Sequence, residues 1–177
     1  MALELNGTTG VSLVQDGVVT AADLAAGAAR ANFGAGAVLQ VVQGTLGSTT
    51  STSTAGTWTA SGLSVSITPS SSSSKILITA SSPLRITSGT TIVRGGVRIK
   101  RNSTVIWNTT GTDEQFQIRN TPNELSVVIP SVILDSPSTT SSTTYSIEFI
   151  MHSSVVGTID YFASSFGSYI VAQEIAA

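Results

Sequence analysis

Residues 37–80 read AVLQVVQGTLGSTTSTSTAGTWTASGLSVSITPSSSSSKILITA, and this stretch contains three strand signals. Residues 38–42 form a short apolar run, residues 63–67 alternate apolar side chains with serine, and residues 76–80 continue the period of two. Such alternation places one face of a strand against a core and the other against water. Because a turn of proline and serine at 69–74 separates the last two signals, the stretch predicts antiparallel β-structure.

The same pattern continues to the end of the chain. It is strongest over residues 145–151, where Tyr, Ile, Phe and Met alternate with other residues, and it closes over residues 168–177. Weaker strand signals lie between these and the opening stretch, at residues 84–87, 91–108, 115–119 and 125–134. About eight short strands without a helical pattern between them predict an all-β domain over 37–177, an antiparallel β-sandwich of jelly-roll-like type.

Two of the predicted strands contain glycine or proline, which restricts how they can pair. Gly95 and Gly96 interrupt the first half of a hairpin that turns at residues 101–104, which predicts either a bulge or a close backbone approach. Pro130 lies inside the apolar run 125–134, and proline cannot donate a hydrogen bond to a neighbouring strand. The run is therefore predicted to be an edge strand or to break at Pro130.

The first 36 residues follow a different pattern and are predicted to form a separate anchor and oligomerisation segment. Short apolar pieces broken by glycine precede a helix predicted over about 20–33, with Thr20 as its N-cap and Asp23 in its first turn. Leu24 and Ala28 lie on one stripe of that helix. The stripe fits a small self-association seam and equally a helix that packs on its own β domain. A segment without a core of its own is predicted to become ordered only on docking.

Composition narrows the function classes. Ser and Thr make up about 30% of the 177 residues and charged residues only 10%, which is typical of a β protein coated with hydroxyl groups. The chain has no cysteine, so disulfides and thiolate zinc sites are excluded. The first residues lack the basic region of a secretory signal, and no apolar run approaches the ~20 residues of a membrane span. We therefore expect no membrane insertion.

Charge is distributed unevenly along the chain. Between Arg30 and Thr112 there are seven basic residues and no acid, whereas from Asp113 onward there are seven acids and the single base Arg119. A basic surface for an anionic partner is one interpretation. Mutual neutralisation between strands or neighbouring subunits is favoured over it. Nucleic-acid binding is not expected, because the chain as a whole is acidic and the basic stretch is not interleaved with stacking aromatics.

No pattern of catalytic or metal-binding residues stands out. The single histidine, His152, lies on an alternating strand and is assigned a structural or surface role, and the adjacent Asp113 and Glu114 are assigned to a solvated turn. No catalytic residue, metal ligand or cofactor is predicted. Most aromatic residues are expected in the core or at a subunit interface. The segment 158–167 is the best candidate for contact with a host-surface glycan, through Tyr161, Phe162 and Phe166.

The opening VLQVVQG, the continuation TASGLSVSITPSSSSSKILI and the closing YIVAQEIAA together resemble a module of tailed-phage fibre proteins, and the upstream DGVVTAADLAAGAARANF resembles the linker before it. The resemblance implies a virion fibre or appendage protein, usually a homotrimer, that docks on the particle through its N-terminus and projects a C-terminal β-sandwich. Such a protein would be assembled in the cytoplasm of the bacterial host. The residues assigned to oligomerisation and attachment are Leu13, Val14, Leu24, Ala28, Phe33, Leu39 and Val41.

These observations predict a non-enzymatic structural protein of a phage virion. Its partners would be two further copies of itself, another virion protein bound through the N-terminal segment, and a glycan of the host surface. Because no extended shaft of repeats separates linker from head, a capsid head fibre or decoration protein is the alternative to a short tail fibre. A glycan-cleaving enzyme is a distant alternative, since the spacing of carboxylates in the sequence does not determine their separation in space.

Overall fold

A computed structural model of the chain describes residues 34–88, 92–108, 115–119, 124–153, 155–162 and 167–177. Eleven β-strands and no helix occur among these residues. The strands are β1 (Val38–Thr45), β2 (Thr50–Thr52), β3 (Thr59–Ile67), β4 (Lys75–Ser88), β5 (Ile92–Arg101), β6 (Thr104–Trp107), β7 (Phe116–Arg119), β8 (Glu124–Asp135), β9 (Thr143–Met151), β10 (Gly157–Tyr161) and β11 (Tyr169–Ile175).

The described strands form two antiparallel sheets, so the predicted all-β class is confirmed. In sheet A, the long strand β4 pairs with β8 along one side and with β11 and then β10 along the other; β1 pairs with β11, and β2 with β10. In sheet B, β9 lies between β3 and β5, and the far side of β5 pairs with β6 and β7. The predicted number of about eight strands is lower than the eleven described, mainly because β2 and β10 were not predicted as strands, whereas β7 agrees with the strand predicted over 115–119.

One hydrophobic core joins the two sheets, and it consists of the alternating residues of their facing sides. Leu63, Val65 and Ile67 of β3 are buried, as the period of two predicts, and the rings of Phe149 in β9 and Tyr161 in β10 pack with centroids 5.6 Å apart. Full burial of each large apolar side chain stabilises the fold by about 1.5–3 kcal/mol. The fold therefore rests on burial between the sheets rather than on covalent links.

Strand β4 is continuous where the sequence predicts two pieces, 76–80 and 84–87. The pairing explains how Pro83 fits inside it. Along β4 from its N-terminal end, the pairing with β11 ends at Ser81 and the pairing with β10 begins at Leu84. The Pro83 carbonyl accepts a hydrogen bond from the Phe162 amide on that same side. Because the amide and carbonyl of one strand residue point to the same edge, the missing N–H of proline falls in the gap between the two partner strands.

Two glycines mark places where backbones come unusually close. A Cβ on Gly95 would lie 2.7 Å from the Ile150 carbonyl oxygen, so the close approach predicted there is confirmed. A Cβ on Gly44 of β1 would lie 2.0 Å from the carbonyl oxygen of Ser64 in β3, on the other sheet. Side chains larger than hydrogen cannot be accommodated at these contacts without a shift of the backbone.

The predicted N-terminal helix over about 20–33 lies outside the described residues, as does most of the predicted segment 1–36, and these stay predictions. The predicted edge position of Pro130 is confirmed within the described part of the chain, where its strand β8 pairs with β4 alone. None of the described residues forms a helix long and apolar enough to cross a membrane.

Candidate assembly surface

The two sheets present chemically different outer faces. On sheet B, Ser64 and Ser66 of β3 point outward and are exposed, and Thr68, just after this strand, is also exposed. Their neighbours on the same face are Arg98 and Glu148, which form an ion pair. Hydroxyl and charged groups satisfied by water or by one another are what a solvated sheet face requires. The outer face of sheet B is therefore polar.

On the outer face of sheet A, the exposed apolar side chains are concentrated on the edge strand β8. The register places Leu134 opposite Leu77 of β4, Val132 opposite Thr79, and Val128 opposite Pro83. The exposed fractions are 58% for Leu134, 61% for Val132 and 46% for Val128. Scattered apolar residues are common on surfaces, but a contiguous apolar row marks a surface that another molecule covers.

Further apolar side chains occur across the sheet as far as the opposite edge, with Thr79, Gln173 and Gln43 between them. Val171 of β11 pairs with Thr79 on one side and with Gln43 of β1 on the other, and Val41 of β1 is 58% exposed. We call this surface the apolar face. It comprises outward side chains of four neighbouring strands: Val41, Leu77, Val128, Pro130, Val132, Leu134 and Val171. The charged side chains on the same side of sheet A, Lys75, Arg85 and Glu124, lie toward its ends.

A surface cavity of about 190 Å³ opens at one end of the apolar face. It is lined almost entirely by apolar groups: Pro83, Leu84, Ser126, Val127, Val128 and Phe162. The Arg85 guanidinium lies 5.4 Å from the centroid of the Phe162 ring and also binds Asp160 at 2.7 Å. The cavity is therefore continuous with the apolar face and bounded on one side by a neutralised ion pair.

Basic residues of the acid-free stretch 30–112 bind acids that follow it in the chain. Arg101 Nη1 donates to Asp135 at 2.9 Å, and Lys100 Nζ donates to Glu148 at 3.1 Å, in addition to the pairs formed by Arg85 and Arg98. Burial acts to raise the pKa of Glu148, but hydrogen bonds from Arg98 and Lys100 outweigh it and hold that pKa below its ordinary range. For these residues, the predicted neutralisation between strands is confirmed within a single chain.

Among the described residues, one buried carboxylate accepts its hydrogen bonds from uncharged donors. Glu174 of β11 is 0% exposed and accepts hydrogen bonds from the backbone amide and hydroxyl of Ser70, at 2.7 and 2.6 Å, and from Gln40 Nε2 at 2.6 Å. Burial acts to raise the pKa of Glu174, but hydrogen bonds from Ser70, Gln40 and Ser74 outweigh it and lower the pKa. The contact fastens the serine turn before β4 to the closing strand, which is a structural task.

The structure distributes the predicted oligomerisation residues unevenly. Val41 belongs to the apolar face, and Leu39 is half-buried at an irregularity in the pairing of β1 with β11. The other five residues of that prediction lie outside the described residues: Leu13, Val14, Leu24, Ala28 and Phe33. Of the predicted oligomerisation residues that the structure describes, Val41 alone belongs to the apolar face.

The predicted glycan-contact residues are also separated. Tyr161 is fully buried, and its hydroxyl donates to Ser82 Oγ at 3.0 Å, so this side chain presents no surface to a receptor. It belongs to strand β10, where the sequence had predicted an aromatic loop. Phe162 is half-buried at the cavity, and Phe166 lies outside the described residues.

Sequence reasoning missed the row on β8, although a signal for it was present. Residues 124–135 read ELSVVIPSVILD, in which apolar residues occur at both alternating sets of positions. A strand with one solvated face alternates apolar and polar residues, whereas a strand covered on both faces is apolar throughout. The absence of alternation in an edge strand therefore predicts a covering partner on its outer side.

In the part of the chain that the structure describes, the side chains that could bind a metal are dispersed. Within the described ranges, no group of three or more His, Asp or Glu residues lies close enough together to hold a metal ion. His152 is half-buried, and its backbone amide donates to the Arg94 carbonyl at 3.1 Å. Comparison with models of known protein families found no match, and comparison with curated proteins found none.

Proposed function

We propose that this chain is a structural protein of a phage virion, a short fibre that assembles as a homotrimer and is attached through its N-terminal segment. The observation that carries the proposal is the apolar face. Residues such as Val132 and Leu134 would cost free energy in water at about 25 cal/mol for each Å² left exposed, and contact with further copies removes that cost.

The order of strands in the two sheets adds to this proposal. We propose that the two sheets form a jelly-roll sandwich. Strand orders β1-β11-β4-β8 and β3-β9-β5-β6 favour it, because the chain alternates between the sheets when the four short strands β2, β6, β7 and β10 are set aside. The short helix over about 20–33 and the anchor role of residues 1–36 belong to this proposal as well. In this proposal, the β domain over 37–177 has a structural role, and no reaction is assigned to it.

Light scattering on the purified full chain tests the oligomeric state. We expect a mass of about three times 18.1 kDa. The variant Val132→Asp places a charge in the centre of the apolar face and is expected to reduce the mass toward that of a monomer. Ser66→Asp, on the outer face of sheet B, is the matched control and should leave the mass unchanged. A wild-type monomer at micromolar concentration would refute the trimer.

Imaging of the virus particle separates a tail fibre from a capsid head fibre or decoration protein. Density for the chain at the tail supports the proposal, whereas density on the capsid shell replaces the tail-fibre assignment by the alternative. Incubation of the protein with host polysaccharide addresses the glycan-cleaving alternative. Released oligosaccharide would contradict the assignment as a non-enzymatic protein.

A further inference from the structure

The composition of the outer faces indicates which surfaces are in contact between the copies of the proposed trimer. Two broad outer surfaces are available on the described domain, the apolar face of sheet A and the polar face of sheet B. Covering the apolar face with sheet B of another copy would take Lys100 and Glu148, whose side chains are 23% and 15% exposed, fully out of water. Removing charges from water is costly even when they are paired.

The charged residues on the outer side of sheet A lie toward its ends: Lys75 at the start of β4, Arg85 near the other end of β4, and Glu124 at the start of β8. The apolar face between them has no charged residue, so identical faces can approach one another without burying a charge at the middle of the contact. Four strands at about 4.8 Å spacing and some eight residues of about 3.3 Å each give a face of roughly 500 Å² in plan, before the relief of the side chains is added. Each partner of a standard pairwise interface contributes about 800 Å², so the whole face, shared between two neighbours around a threefold axis, is comparable to one such contribution once the relief of the side chains is included.

The edge of sheet A is a less suitable contact than its face. Strand β8 is an edge strand, and an exposed edge can add a strand from another molecule. However, Pro130 lies in the middle of β8, and a proline on an edge strand is a common means of preventing strand addition. Copies are therefore expected to meet through side chains rather than through a sheet that continues from one copy to the next.

We infer that the occupant of the apolar face is the same face of neighbouring copies, so that the outer surfaces of sheet A from all copies pack around a common axis while sheet B points outward. This inference rests on the proposed homotrimer and specifies its interface. It assigns any surface that meets an external partner to sheet B and its loops, because the opposite face is covered in the assembly.

Spin-label distances test this arrangement, and the absence of cysteine makes single labelled sites straightforward to introduce. Gln43→Cys and Ser126→Cys place labels at exposed polar margins of the outer face of sheet A, and Ser66→Cys places a matched label on sheet B. The two sheets lie about 10 Å apart, and around a threefold axis an outward shift of that size lengthens each distance between equivalent labels by about 17 Å. The sheet A labels should therefore give clearly shorter distances than the sheet B label.

The outcomes separate this inference from the proposal on which it depends. Trimer mass with shorter distances for Gln43 and Ser126 than for Ser66 supports both. Trimer mass with equal distances, or with the shortest distance at Ser66, overturns the packing of identical faces and leaves the trimer intact. A mass of 18.1 kDa without dipolar coupling at any site overturns the homotrimer and the inference together.

Discussion

Replacing Glu174 by glutamine tests how far a buried carboxylate without a recorded cationic donor stabilises this fold. Glutamine keeps the shape but replaces one acceptor oxygen by an amide that donates. It would then face a donor, either the Ser70 amide at 2.7 Å or Gln40 Nε2 at 2.6 Å. A hydrogen bond to a charged group contributes about 1.5–3 kcal/mol, and a buried donor left without a partner costs about 1–3 kcal/mol. We expect Glu174→Gln to lower the free energy of unfolding by about 2–4 kcal/mol at pH 7.

The same substitution predicts a pH dependence with a definite sign. The pKa of Glu174 is lower in the folded chain than its ordinary value of 4.5. A carboxyl group with a lowered folded pKa stabilises the fold above its unfolded pKa, and this contribution disappears as the pH falls through the folded value. The difference between wild type and variant should therefore be constant near neutral pH and shrink as the pH falls below 4.5.

Denaturant unfolding at fixed protein concentration, followed by far-UV circular dichroism at several pH values, measures both effects. Glu124→Gln is the control, because Glu124 is an exposed residue at the start of β8. We expect it to change the free energy of unfolding by no more than about 0.5 kcal/mol. The reasoning is refuted if Glu174→Gln is as stable as wild type at pH 7, or if its deficit grows as the solution becomes more acidic.

Three further predictions concern contacts within and between the sheets. Gly44→Ala should destabilise the fold by about 1–3 kcal/mol, because its methyl group meets the Ser64 carbonyl. Gly47 has open space around it, so the control Gly47→Ala should change the midpoint of denaturation little. Equal midpoints for the two variants would contradict the close approach at Gly44. Asp135→Asn should cost about 2 kcal/mol in urea unfolding because Arg101 loses its ionic partner, and an unchanged midpoint would count against that pair. Tyr161→Phe leaves the Ser82 hydroxyl without its donor and should lower the melting temperature by about 2–4 °C, so a higher melting temperature would argue against the buried hydrogen bond.

Much of the fold could be predicted because most strands have one buried face. In most of β3 and over residues 143–149 of β9, every second side chain is buried, and this alternation is visible in the sequence as a period of two. Strand β10 escaped prediction because its last three residues, Ile159, Asp160 and Tyr161, are all buried, so the alternation is lost. The continuity of β4 escaped it for another reason: Pro83 is acceptable only because two partner strands change over at that point, which depends on residues almost 80 positions away.

The candidate surface was predictable only in part. Val41 was assigned to assembly from the opening strand, but the row on β8 was not, because an apolar run without alternation is compatible with burial on either side. The placement of Tyr161 shows the converse error, since an aromatic residue among Ser and Gly suggests a loop until its ring is seen to pack against Phe149. Burial of a large side chain depends on what lies across the sheet, and the local sequence does not contain that information.

By itself, the sequence determined that this chain is a β protein with a hydroxyl-rich surface, without disulfides, in which separated blocks of opposite charge can neutralise each other. These properties follow from side-chain volume, branching and charge, which act over a few residues. Only the tertiary structure decided which acid each base binds and which of the two sheets has an apolar outer face. Pairing register between strands distant in the chain determines both, because it places Leu134 beside Leu77 and Val132 beside Thr79, and so joins apolar residues from separate segments into one surface.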